Sequence, residues 1–101
     1  MKMNIRTIRT TANNLITALE FKRAQTERLL KYEVEHMYEE GHEIKTRIGL
    51  VNDMEKECKN AMSILSMLYI TCNDNYERYM DELNQQQDRV WALRDGLNQY
   101  I

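Results

Sequence analysis

Alternating steps of four and three residues from Leu30 to Tyr100 visit twenty-one positions, and all but Gly41, Glu55 and Gln86 are apolar or aromatic. A hydrophobic content of 43% would place about nine such residues there by chance. This spacing is the a/d seam of a coiled-coil-like helix, with one apolar stripe repeating every seven residues. An earlier stripe, Ile5, Ile8, Ala12, Leu15 and Leu19, joins the first across the eleven-residue step from Leu19 to Leu30. That step acts as a four-residue stutter, so the seam should relax around Lys22, Arg23, Gln25, Thr26 and Glu27. The pattern therefore predicts an all-α chain folded as a single helical domain over residues 1–101.

The strongest break signal lies near the middle. Gly49 suits the position just past a helix end and Leu50 the apolar contact that follows. Asn52-Asp53-Met54-Glu55 then reads as a cap with its reciprocal glutamate. The expected fold is a long antiparallel helical hairpin, with helix 3–48, turn 49–52 and helix 53–100. Two weaker breaks, Glu40-Gly41-His42 and Thr71-Cys72-Asn73-Asp74-Asn75, would together make a three-helix bundle instead.

Composition supports helices over sheets: the chain has no proline and three glycines, so the usual loop and turn residues are scarce. Between Ala61 and Cys72 nine of twelve residues are apolar and point all round a helix. Two helices cannot cover such a segment, which belongs inside a larger bundle. The candidate oligomer or partner interface is Met62, Ile64, Leu65, Met67, Leu68 and Ile70. Two hairpins related by a two-fold axis, a homodimer forming a four-helix bundle, would shelter it. The methionines Met37, Met54, Met62, Met67 and Met80 either fill a core or offer a surface that re-packs against different partners.

Charge is unevenly spread. Residues 1–31 carry seven basic and two acidic side chains, and the remaining seventy carry seven basic and fourteen acidic ones. In a hairpin the basic first third lies beside the acidic last third, and the charges cancel within the molecule. The basic start also supports an alternative reading, a nucleic-acid-associated helical protein with phosphate contacts from Lys2, Arg6 and Arg9.

The chain shows no glycine-rich phosphate loop, Cys-x-x-Cys pair or activated nucleophile arrangement, so neither an enzyme nor a cofactor is expected. Glu33-x-x-His36 and Glu39-x-x-His42 have the spacing used in di-iron helical bundles, which keeps a metal-binding bundle as a second alternative. Both pairs lie off the apolar stripe, so a solvated acidic face is the expectation and no metal ligand is assigned. Cys58 and Cys72 lie about 21 Å apart along one helix at 1.5 Å per residue and fall on the stripe. Buried reduced thiols are therefore expected. No apolar run is long enough to span a bilayer, and the start, Met1-Lys2-Met3-Asn4, does not resemble a signal peptide. These features fit a cytoplasmic protein with no membrane partner. The Trp-x-Gly turn of small secreted helical hairpins is replaced by Ile48-Gly49-Leu50, and no family is assigned from the residues. The expected function is non-enzymatic protein–protein interaction, as an adaptor, assembly chaperone or inhibitor.

Overall fold

A computed structural model describes residues 4–35 and 44–100. Those residues form three α-helices and no strand: α1 (Ile5–Glu35), α2 (Ile44–Ile70) and α3 (Met80–Asn98), the last preceded by a 3-10 turn over Tyr76–Tyr79. Each helix packs on both others, within an envelope of 56 × 17 × 17 Å.

Local chemistry marks where the helices begin and end. The Asn4 side-chain oxygen accepts the Thr7 backbone N–H at 2.9 Å, capping an orphan donor of α1. At the far end of α2 the Thr71 hydroxyl donates to the Leu68 carbonyl at 2.9 Å. Asn75 restarts the helical path by accepting the Glu77 N–H at 3.0 Å. Thr71 to Asn75 thus divert backbone hydrogen bonds from the helical ladder. Asp81 and Glu82 occupy the first turn of α3, where negative charge favours the exposed N–H groups.

The expected turn at 49–52 does not form, because α2 runs through it unbroken. Gly49 is helical, with its φ outside the left-handed region, and a Cβ there would meet nothing within 4 Å. A helical glycine costs only about 1 kcal/mol relative to alanine. Burying Val51 and Met54 one turn later offsets that by an estimated 1.5–3 kcal/mol per large side chain. The hairpin gives way to its three-helix alternative. Of the two breaks that alternative needs, Thr71–Asn75 is present, and Glu40-Gly41-His42 lies outside the described residues.

Ion pairs and close approaches show the helix directions. Arg9 pairs with Glu82 at 2.8 Å and Glu20 with Arg89 at 3.5 Å, so α1 and α3 run parallel. Lys22 reaches Glu57 at 2.8 Å, and the Gln87 amide donates to the Ser66 hydroxyl at 3.0 Å. Helix α2 therefore runs antiparallel between them. The expected pairing of a basic start with an acidic end survives in Arg9–Glu82, whereas Glu20–Arg89 reverses the signs and Lys22 turns to α2.

The core is one cluster drawn from all three helices. In α1 the enclosed positions are Ile8, Ala12, Ile16, Leu19, Thr26 and Leu30. Two successive steps of four at Ile8–Ala12–Ile16 place the change of register there. The expected loose stretch is occupied instead: Thr26 is enclosed with its hydroxyl on the Lys22 carbonyl at 2.9 Å. Arg23 lies against Gly96, where a Cβ would overlap its guanidinium, and it pairs with Glu27 at 2.9 Å.

Candidate protein-interaction surface

Helix α2 buries Val51, Met54, Cys58, Ala61, Leu65 and Tyr69, a stripe at 3.6-residue spacing that faces α1 and α3. Side chains about 100° to either side of that stripe meet solvent. Among the six residues expected to form an interface, Leu65 is fully enclosed and belongs to the core. Met62 and Leu68 are half-buried and packed against the core. Ile64, Met67 and Ile70 are 44%, 66% and 61% exposed. The surplus of apolar groups thus divides in two: the third helix covers half of it, and a row at i, i+3 and i+6 is left outward. Phe21, Leu29, Tyr32, Ile48 and Met80 are also large and exposed, but they are spread over the three helices.

A second apolar feature lies between α2 and α3. Met62, Ser63, Ser66 and Lys59 on one side and Gln87 and Trp91 on the other line a groove of about 520 Å³. Trp91, half-buried, forms part of its lining, and the Arg94 guanidinium stacks 3.9 Å from its ring centroid. Trp91 escapes the seam argument because it lies one position past Val90, off the stripe. Its signal is the antiparallel pairing of α3 with α2, which no spacing along a single helix contains.

At the opposite end of the bundle, polar groups meet where the three helices come together. The Tyr69 ring is wholly enclosed, and its hydroxyl and Glu82 Oε2 are both buried without a partner in good hydrogen-bond geometry. Even so, burial raises the Tyr69 pKa first, and the charge and side-chain contact of Glu82 push it further, against Arg9. We read this as a close approach short of an aligned hydrogen bond. Arg9 also lies 5.9 Å from the Tyr79 ring, and the Tyr79 hydroxyl donates to Asp74 at 3.0 Å. That bond favours the protonated phenol and raises its pKa.

Nothing in this arrangement resembles an activated nucleophile. Cys58 and Cys72 are free and buried, and burial pushes the Cys58 thiol up, with Arg94 opposing and Glu57 and Glu55 adding. A raised thiol is a poor nucleophile. Among the described residues no group of three His, Cys, Asp or Glu side chains converges on a metal position. His36, Glu39 and His42 of the Glu-x-x-His pairs lie outside the described residues, as does Lys2 of the suggested phosphate contacts. Arg6 is exposed, and Arg9 is engaged by Glu82. No described helix is long and apolar enough to cross a membrane. No protein-family model, curated protein or solved structure matches the chain.

Proposed function

We propose that the chain is a non-enzymatic interaction protein, an adaptor, assembly chaperone or inhibitor that holds another protein against the outer face of α2. The observation that carries this reading is the row Ile64, Met67 and Ile70, left 44%, 66% and 61% exposed after three helices have packed. Contiguous exposed apolar side chains on a small protein are characteristic of contact surfaces. Covering such a row would remove about 25 cal/mol per Å² of apolar area from water. The methionine suits it to partners of differing shape. Self-pairing of two copies, with α2 on α2 about a two-fold axis, belongs to the same reading and would build the larger helical bundle that the excess of apolar residues calls for.

The test is a variant with Ile64→Asp, Met67→Asp and Ile70→Asp together. All three are surface positions, so helix content and thermal midpoint should stay close to the parent. Capture of partner protein from native lysate, and any dimer seen by sedimentation, should both disappear. Undiminished capture by the folded variant would refute the assignment.

A further inference from the structure

The longest stretch of the chain without a charged side chain runs from Asn60 to Asn73, fourteen residues bounded by Lys59 and Asp74. Met67 lies at its middle, with Ile64 and Ile70 three residues to either side, and these are the large side chains left outward within it. A stretch that reads cation, neutral, anion about a central residue is complementary to itself when reversed. Such a surface meets a second copy through an antiparallel two-fold axis, where every contact is returned by its counterpart.

At about 100° per residue, Ile64 and Ile70 lie about 60° to opposite sides of Met67, so the row slants across the face of α2. The two remaining corners hold small exposed residues: Ser63 at the Ile64 end on the side of Ile70, and Thr71 at the Ile70 end on the side of Ile64. The backbone still follows the helix at Thr71, whose N–H donates to the Met67 carbonyl at 3.0 Å. Turning one copy end for end about an axis through Met67 makes the two rows cross. Ile70 of the second copy then rests over Ser63 and Ile64 of the second copy over Thr71. Each large side chain thus meets a small one, and Met67 meets Met67. Ser63 also lines the groove between α2 and α3 with Met62 and Trp91, so the incoming isoleucine lands at its edge.

Charge fixes the direction. Lys59 lies on the flank of α2 that faces α3, since it shares the groove lining with Gln87 and Trp91. The segment Thr71–Asn75 leaves α2 toward α3, hence on that same flank. In the antiparallel pair Lys59 of each copy comes to the level of Asp74 of the other, about 12 Å from Met67. Asp74 is exposed and takes part in none of the ion pairs among the described residues. Lys59, with its side chain 63% exposed, holds Glu55 at 3.3 Å. A parallel pair would instead set Lys59 beside Lys59 and Asp74 beside Asp74, and like charges brought together at an interface are costly.

We infer that the occupant of the Ile64, Met67 and Ile70 row is a second copy of this chain, antiparallel about a two-fold axis at Met67, with Lys59 of each copy on Asp74 of the other. This inference rests on the proposed function and names the partner. A contact this short falls below the roughly 800 Å² per partner of a standard interface, so the dimer is reversible, populated at high concentration and lost on dilution.

Sedimentation of the full chain from about 1 μM to about 1 mM should pass from monomer to dimer. Lys59→Glu and Asp74→Lys, each at unchanged helix content, should weaken self-association about tenfold at low salt, because each reversal acts at two related contacts. Mixed with one another, the two variants should regain the affinity of the parent, since a mixed pair restores opposite charges at both contacts. Met67→Cys should oxidise to a disulfide between copies, whereas Asn60→Cys should not, its two thiols being held about 21 Å apart. A monomer at every concentration overturns the inference. So does a mixture no tighter than its components, or a ready Asn60→Cys disulfide, which marks a parallel pair. If the chain stays monomeric while the α2 triple variant loses its lysate partner, the second copy is excluded and capture of another protein stands. If charge exchange and the Met67→Cys disulfide establish the dimer while the triple variant keeps its lysate partner, the row serves self-association and the proposed capture falls.

Discussion

Tyr69 has the largest fully enclosed side chain among the described residues, and it shows how a single residue ties packing to ionisation. Its ring is held by the core, while its hydroxyl ends beside Glu82 and Arg9, one from each of the other helices. Removing that proton would leave a phenolate in a place already short of hydrogen-bond donors, so the folded state holds the proton more tightly than the unfolded chain. The same sign applies to Cys58, where burial dominates. With both pKa values raised on folding, the associated stability is complete below the ordinary values of 9.0 and 10.0. It drains away as pH climbs from there through the raised values. Urea midpoints should accordingly be level near pH 8 and fall steadily above about pH 10. Tyr69→Phe should flatten the upper part of that decline and leave the Cys58 part in place. Parallel curves for variant and parent would show that the phenol does not titrate against folding.

At the scale of the helix, α2 decides between the two architectures that the residue pattern allows. Gly49 lies within it, has open space where a Cβ would go and needs no left-handed backbone. Gly49→Ala should therefore stabilise the protein by about 0.5–1 kcal/mol through reduced backbone freedom in the unfolded chain. At a true turn with positive φ the same change would destabilise, so a lowered thermal midpoint would restore the hairpin. The seam itself was legible: Val51, Cys58, Leu65, Tyr69, Cys72, Leu83, Val90, Leu93 and Leu97 are all buried, because burial and 3.6-residue spacing are one signal in a chain of helices. Near misses such as Met54 for Glu55 and Ala61 for Met62 are shifts of one position. They arise because a helix with neighbours on two sides buries a wider arc than a two-stranded seam. The break was not legible from phase, since the stripe passes through Gly49 and through Thr71–Asn75 alike. At Thr71–Asn75 five successive residues favour leaving the helix, whereas Gly49 is a single weak position between Ile48 and Leu50. Trp91 and the groove it lines lay beyond a one-helix pattern altogether.

Over the whole molecule, three helices solve half of the problem posed by the segment Ala61 to Cys72. Leu65 and Tyr69 are enclosed by α1 and α3, and Ile64, Met67 and Ile70 are not. The proposed partner surface is thus what remains after intramolecular packing is complete, and its position depends on which helices lie beside α2. A zero-length carbodiimide reaction measures that arrangement in solution, since it joins an amine to a carboxylate only when the two already touch. Lys22 lies 2.8 Å from Glu57, so mass spectrometry of the digested product should find an amide between these two residues. The hairpin register would instead carry Lys22 to the neighbourhood of Tyr79, giving links to Glu77 or Asp81. Mixing isotope-labelled and unlabelled chains before the reaction separates links within one copy from links between two. An intramolecular Lys22–Glu57 product places α1 against the middle of α2 and leaves the row from Ile64 to Ile70 facing outward. A product joining only different copies would mean that the helices are exchanged between chains, with the α1 of one copy packed on the α2 of another.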